Sequence, residues 1–573
     1  MRTRSALLGQ LQQSAGVEVL IVGGGINGIG LYRDLAAQGV AALLVEQEDF
    51  CSGTSAAPSR LIHGGLRYLE TGEFALVRES VEERNRLLCN APHLVRPIPV
   101  WVPLRQWTAG LLQAPARFLR WSTTPGPKGA LVTKLGLLVY DWFGRHLPVL
   151  PRHRLVGPRE MRAAMPSLAA DVQRAAEYYD ARLLHPERLA LELLMDAEHD
   201  CPAAMAVPYM ALESHQGSDV LLRDTETQQH YRVRPRLVVN ATGAWVDQAN
   251  RCLGIEAQLM GGTRGSHLVL RHAALWHELA GRMVYFETAD HRICLVYPLA
   301  QDLVLLGTTD IRSEQPDDKQ CTPAEIDYLF DVLRVLMPRL DVSRAHIVFQ
   351  YAGVRPLPSS QGKVAGAISR DHQLHHYPAA PGRGFDVLTL VGGKWTTYRV
   401  CAAQMADAVL ARLQRPRRTD TAALPIGGGR DWPASPALQQ QAITALAQQH
   451  AVDEALARRL WERYGTAAAQ VLQTMATAGA GPVDGLARYC VGEIVHMARH
   501  ERVTHLADVV LRRSLAAFEG QCSLRALQAL ATILGAELGW PAERAQHEIE
   551  QTSALLQARH AAKIDNSPTQ PAP

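Results

Sequence analysis

At 573 residues the chain is too long for one hydrophobic core, so two or three domains are expected. A hydrophobic fraction of 47% is that of an ordinary globular protein, and a net charge of +3 argues against a bulk nucleic-acid role. Nine cysteines stand without any C-x-x-C pair, which argues against an iron–sulfur cluster, a zinc or other metal site and a disulfide framework, and fits a reducing cytosol.

Met1–Gly16 has Arg2 and Arg4 but no apolar segment of secretory length, and reads as an N-terminal tail over 1–16. No run of about 18 apolar residues occurs, so no transmembrane helix is expected. Val17–Val22 has the β-branched apolar pattern of a buried strand. Gly23-Gly24-Gly25-Ile26-Asn27-Gly28 follows at once, with Gly23, Gly25 and Gly28 in G-x-G-x-x-G spacing. A helical segment Ile29–Gln38 then ends at Gly39, and a second strand, Ala41–Val45, ends in Glu46. Together these predict a dinucleotide site. Gly23 makes the tight turn, Gly25 lets a pyrophosphate approach the backbone, and Gly28 lets helix and strand pack closely. The helix N-terminus offers N–H groups to phosphate, and Glu46 accepts from ribose hydroxyls. An acid at position 46 repels the 2′-phosphate of NADP, leaving NAD or FAD. The loop from Asp49 to Tyr68, dense in hydroxyls and glycines, stands where an NAD enzyme would start another βαβ unit, and selects FAD.

Glu73–Asn90 reads as a surface helix and Ala91–Leu104 as irregular strands. Leu94–Tyr140 contains no Asp or Glu, yet carries Arg96, Arg105, Arg117, Arg120, Lys128 and Lys134 interleaved with Trp101, Trp107, Phe118 and Trp121. Either this is a solvated loop with a few aromatics tucked into the core, or it is an element that meets anionic lipid. Leu155–Leu168 and Glu187–His199 read as helices, Met205–Ser214 and Arg234–Asn240 as strands, the latter running into Ala241-Thr242-Gly243-Ala244-Trp245. Residues 255–370 alternate as an antiparallel sheet does. Val387–Val391 is a last buried strand, after which Gly392-Gly393 opens a helix over Thr396–Leu413. Arg415–Gly429 is a linker, Pro436 to about Ala562 is helical with no strand candidate, and Asn566–Pro573 is a disordered tail. Within the helical part, Arg512-Arg513 is a second candidate for lipid contact or a solvated helix face.

The blocks Gly23–Gly28, Gly53-Thr54-Ser55, Leu61–Glu70, Ala91–Leu94, Gly265-Ser266-His267, Gly307–Asp310, Gly353–Leu357 and Gly392–Arg399 run in order over residues 17–400. They resemble the FAD-dependent, quinone-linked glycerol-3-phosphate dehydrogenase family of the glutathione-reductase-like FAD superfamily. The resemblance implies an α/β FAD-binding Rossmann-like domain (about 17–100, 150–255 and 350–414). An antiparallel-sheet substrate domain (about 100–150 and 255–350) is interleaved with it. A linker over 415–430, a C-terminal all-α domain over 431–562 and a tail over 563–573 follow. Against the family's shorter connection, roughly Trp107–Pro127 looks like an insertion.

The resemblance further implies FAD held by Gly23, Gly25, Asn27, Gly28, Glu46, Thr54, Ser55, Ser59, Leu61, His63, Gly64, Gly65, Val207, Ala241, Thr242, Gly243, Trp245, Gly353, Gly393, Lys394, Trp395, Thr396 and Thr397. Arg67 and Arg355 are expected to bind the substrate phosphate, with Arg370 a further ligand, because a planar guanidinium pairs with phosphate oxygens in two places, and Tyr68, His267 and Lys394 are expected to bind the substrate with them. His267 is the general-base candidate, and Lys394 is expected to stabilise the developing alkoxide. Ala56-Ala57-Pro58, Arg60 and Trp395 depart from the family pattern. The expected partners are sn-glycerol 3-phosphate, membrane quinone and an anionic membrane surface on the cytoplasmic side of the cell membrane, with a homodimer left open. The rival functions are an oxidase of the same fold making hydrogen peroxide and a non-catalytic membrane flavoprotein.

Overall fold

The computed structural model describes residues 2–13, 16–69, 72–106, 130–313, 315–359 and 372–564; Arg370, the stretch 107–127 and the tail 566–573 lie outside them. Val17–Val22 lies parallel to Ala42–Val45 on one side and to Pro235–Asn240 on the other. Asp386–Val391 and Met205–Val207 extend this parallel sheet, and Gln373–Tyr377 closes one edge antiparallel. The helices Ile26–Ala37, Pro186–Asp200 and Tyr398–Leu413 cover one face. A three-stranded sheet (Met210–Gln216, Asp219–Asp224, His230–Val233) covers the other, which is why the strands are apolar on both sides. The N-terminal residues are not a tail. Arg4–Gln13 is a helix that buries Leu7 and Leu11 on this second face.

The other large unit is a ten-stranded sheet. Its expected antiparallel order holds except where Met283–Glu287 runs parallel to Val95–Leu104. The helices Ala273–Leu279 and Pro323–Leu336 pack on one face, on Leu268, Leu270 and Leu306. The opposite face carries Val269, Phe349 and Tyr351 into a core that continues through Phe518 into the C-terminal helices.

Several expectations need correction. The supposed irregular strands around 91–104 are one strand, Val95–Leu104, paired over its full length with Arg174–Leu183. The helix after the glycine loop begins at Ile26 rather than Ile29. Phe74–Asn90 is not a surface helix: Glu83, Arg84 and Asn85 are buried because Glu83 meets Arg399, Arg84 meets Asp180, and Asn85 donates to the Leu147 carbonyl. Residues 155–168 split into a strand, Arg154–Val156, and a short helix, Pro158–Ala164, begun by Pro158 at its N-terminus. The 205–214 strand breaks at Tyr209, whose φ is +58°. The linker is a packed strap, with Arg417 and Thr421 on Asp34 and with Gly428 and Gly429 buried. The helical domain contains a hairpin, Pro482–Val483 with Leu486–Cys490.

Among the described residues no helix is long and apolar enough to cross a membrane, and no group of His, Cys, Asp or Glu is arranged to hold a metal.

Candidate active site

The dinucleotide loop has the geometry its glycines require. A Cβ on Gly28 would lie 2.0 Å from the Gly23 carbonyl oxygen, and one on Gly23, at φ +110°, would lie 2.7 Å from that of Ala241. Gly25 caps Ile26–Ala37 with no side chain of its own; of the first-turn N–H groups, that of Ile26 is taken by Ser55 and those of Asn27 and Gly28 are left for a ligand. Ser55 Oγ accepts from Ile26 N at 3.0 Å, and Asn27 donates to the Gly392 carbonyl while its buried Oδ1 has no partner. Glu46 accepts from Gly24 N at 2.7 Å and from Glu48 N at 3.1 Å, and its own N–H bonds the Val207 carbonyl. Burial raises its carboxyl above the ordinary value, opposed by those two N–H groups.

Three further segments converge on this loop. Ala241 N donates to the Val22 carbonyl, Thr242 bonds Asn240, and Gly243 turns at φ +61°. Trp245 stands over Gly53, with its indole N–H on Asp317. Thr54 Oγ1 donates to the Val354 carbonyl at 2.6 Å. In the third segment Gly393, at φ +96°, would clash with Asn27 if it had a Cβ, and Lys394 Nζ is buried. Trp395 Nε1 donates to the Ser55 carbonyl, Thr396 Oγ1 accepts from His63 N, and Thr397 caps Tyr398–Leu413. An open helix N-terminus, an orphaned buried amide oxygen and a carboxylate at the strand end together fit a dinucleotide such as FAD.

Leu61 sits in a two-residue strand on Arg182, leading to Gly64 and Gly65. Gly64 N donates to Tyr140 OH at 2.9 Å and to Asp180 Oδ1 at 3.1 Å, both of which also bond Arg84. For Arg67 and Tyr68 the structure describes the backbone, in the single turn Leu66–Leu69.

The substrate side is built by register. Thr263–Arg271 pairs with Ile347–Arg355 so that Thr263, Gly265 and His267 face Arg355, Gly353 and Tyr351. With a period of two, all six share one face of the sheet. The Arg355 guanidinium lies on Gly265, where a Cβ would be 2.1 Å away, and the His267 ring lies on Gly307, where one would be 2.3 Å away. Arg355 is oriented by Asp310 Oδ1 at 2.9 Å and Thr308 Oγ1 at 3.0 Å. His267 stacks on Tyr351 with centroids 4.8 Å apart, and its Nε2 is 2.7 Å from Ser59 Oγ, so Ser59 reaches the imidazole. Nδ1 is buried without a hydrogen-bond partner. Burial, aided by the positive charges of Arg355 and Arg60, lowers the His267 pKa to about 3, which keeps the ring neutral.

Sequence reading missed the supports of this wall. Glu325, at the capping box of Pro323–Leu336, accepts from Ser266 Oγ, Thr309 Oγ1 and Arg264. The T-P-x-E stretch at 322–325 was its available signal. Tyr351 and Tyr297 donate to the Pro58 and Ser59 carbonyls, and Arg60 sits over Phe518. The Arg512-Arg513 pair expected at a lipid surface or solvated face is instead buried against Asp49 and Asp508.

Residues 18–399 match the FAD dependent oxidoreductase family, and residues 419–545 match the C-terminal domain of alpha-glycerophosphate oxidase. A glycerol-3-phosphate dehydrogenase of Synechocystis sp. is 30% identical over 563 residues, covering 94% of this chain and 96% of that one. One from Pseudomonas aeruginosa is 31% identical over 514 residues, 87% and 91% of the two chains. The solved glycerol-3-phosphate dehydrogenase of Bacillus halodurans, complexed with FAD, shares the fold with a TM-score of 0.73 at 21% identity, covering 100% of this chain and 99% of that chain.

Proposed function

The chain belongs to the FAD-dependent oxidoreductases and, within them, to the glycerol-3-phosphate dehydrogenases, and from that premise we propose a reaction, a set of residue roles and an electron acceptor. The reaction is oxidation of sn-glycerol 3-phosphate at C2 to dihydroxyacetone phosphate. Bound FAD supplies the acceptor for the hydride that leaves C2. His267 takes the C2 hydroxyl proton at Nδ1, in the tautomer whose Nε2–H donates to Ser59 Oγ. A pKa of about 3 leaves that lone pair free at neutral pH but makes it a weak base, so the proton moves as the hydride leaves C2 and the hydroxyl becomes strongly acidic. Arg355, together with Arg67 and Arg370, binds the phosphate, and Asp310 and Thr308 fix the plane of the Arg355 guanidinium. The Lys394 ammonium stabilises the oxygen as its proton leaves.

One observation carries this reading: a buried imidazole and an oriented guanidinium share one sheet face, each seated on a glycine. The acceptor is a membrane quinone, reached by docking on anionic lipid. Supporting this, four of the six large apolar side chains exposed among the described residues cluster together: Leu135, Leu138 and Trp142 on the helix Ala130–Phe143, and Leu147 just beyond. Lys134 is exposed beside them and Arg145 lies over the Trp142 ring at 4.7 Å, so cations accompany the apolar face as an anionic bilayer requires.

Turnover with a short-chain quinone tests the function. Glycerol 3-phosphate should yield one dihydroxyacetone phosphate per quinone reduced, with little peroxide in air. Equal rates with glycerol would overturn the phosphate assignment, and stoichiometric peroxide without quinone reduction would make the protein an oxidase.

A further inference from the structure

The turn that follows Glu46 is held from the far end of the chain. Asp49 is fully buried, and its carboxylate receives Arg512 Nε and Arg513 Nη1 on Oδ2 and Arg513 Nη2 on Oδ1 at 2.8 Å. Both arginines lie in a π-helical turn, Val509–Arg513, of the C-terminal helical region. Arg512 also reaches Asp508 Oδ1 at 2.7 Å, and the same oxygen accepts from the Tyr209 phenol at 2.6 Å. Tyr209 N in turn donates to the Glu48 carbonyl at 3.0 Å, and Met210 N to that of Glu46 at 2.7 Å. Asp508 is anchored by the N–H groups of Thr504 and His505, each at 2.9 Å from Oδ2. On the near side, Cys51 N donates to the Gly24 carbonyl at 2.9 Å. The segment from Glu46 to Cys51 is therefore bonded to the glycine loop at both ends, to the C-terminal region directly at Asp49, and to it indirectly through Tyr209, which joins the Glu48 carbonyl to Asp508.

A buried ion pair adds little stability over apolar packing of the same volume, so this cluster does little as glue between domains, but it fixes direction well. We propose that Asp49, Arg512, Arg513 and the Tyr209–Asp508 bond are positioning residues through which the C-terminal region holds Glu46 in its ribose-binding place and so sets how tightly FAD is retained. This rests on the reading that Glu46 accepts the ribose hydroxyls.

The test is FAD release from the holoenzyme, followed by recovery of free-flavin fluorescence after dilution. Asp49→Asn should release FAD about tenfold faster or more, and Tyr209→Phe about threefold, as partners that orient a ligand's contacts typically do. Arg430→Gln serves as control: it breaks an ion pair with Asp196 at 2.6 Å that ties the strap leading into the C-terminal region to the helix Pro186–Asp200, with no bond to the turn, and should release FAD at the wild-type rate. The loss in Tyr209→Phe should fall on FAD affinity and not on KM for glycerol 3-phosphate, since Tyr209 bonds no residue of the substrate wall. If Asp49→Asn fails to fold, Tyr209→Phe decides alone. Wild-type retention in both variants would overturn the proposal, as would equal loosening in Arg430→Gln, which would reduce the cluster to general docking. Glu46→Ala separates the two levels: rapid FAD loss supports the ribose reading beneath the proposal, whereas unchanged retention removes it whatever the clamp variants do.

Discussion

Replacing His267 by glutamine should change both turnover and the pH dependence of stability, in opposite senses. Glutamine keeps a donor and an acceptor for Ser59 but cannot take up a proton, so kcat should fall about 10²- to 10⁴-fold while FAD stays bound. The stability effect follows from the pKa, lowered to about 3 in the folded protein against 6.5 in the unfolded chain. Between those values the unfolded state binds a proton that the native state refuses, so wild-type stability is full above pH 6.5 and falls as the pH falls towards 3. Summed over that window the loss reaches about 5 kcal/mol, of which about 2 kcal/mol has accrued by pH 5. The variant lacks this term. Urea unfolding at pH 8 and pH 5 should therefore show the stability gap between wild type and variant shifting by about 2 kcal/mol in the variant's favour at pH 5. Parallel losses in the two proteins would mean that His267 titrates normally, and the neutral-base argument would fall with that result.

Gly28→Ala should yield protein without flavin colour, because the added carbon lies 2.0 Å from the Gly23 oxygen; an absorbance scan of the purified variant checks this. Arg355→Ala removes a charged phosphate contact and leaves Asp310 unpaired, and should cost about 2–4 kcal/mol in kcat/KM, roughly 30- to 1,000-fold, with FAD content unchanged. Leu138→Ser with Trp142→Ser should weaken sedimentation with anionic vesicles and quinone reduction at the vesicle surface, yet spare activity with a soluble dye; undiminished sedimentation would move the docking face elsewhere.

What was legible in the sequence was local. Strand, glycines, helix and acid lie within thirty residues of one another, and each signal depends on its neighbours: Gly23 and Gly28 are read from spacing, Glu46 from the end of a strand. The site residues His267 and Arg355 were singled out by their motifs, but their meeting was hidden. It depends on the register between Thr263–Arg271 and Ile347–Arg355, which packing of the whole sheet sets. The same holds for burial of charge. Phe74–Asn90 reads as a solvated helix because its charged partners, Asp180 and Arg399, are remote in sequence. Arg512-Arg513 reads as a surface patch because Asp49 stands more than 460 positions away. The N-terminal helix was missed because only Leu7 and Leu11 of its ten residues are buried, too few to make a periodic signal.

The measurement closest to the central claim is anaerobic mixing of the yellow holoenzyme with substrate, following flavin absorbance near its visible maximum. Glycerol 3-phosphate should bleach the wild type fully within its turnover time, glycerol at the same concentration should not, and His267→Gln should bleach more slowly by the factor lost from kcat. Full bleaching by glycerol, or none by glycerol 3-phosphate in protein that holds its FAD, would contradict the account.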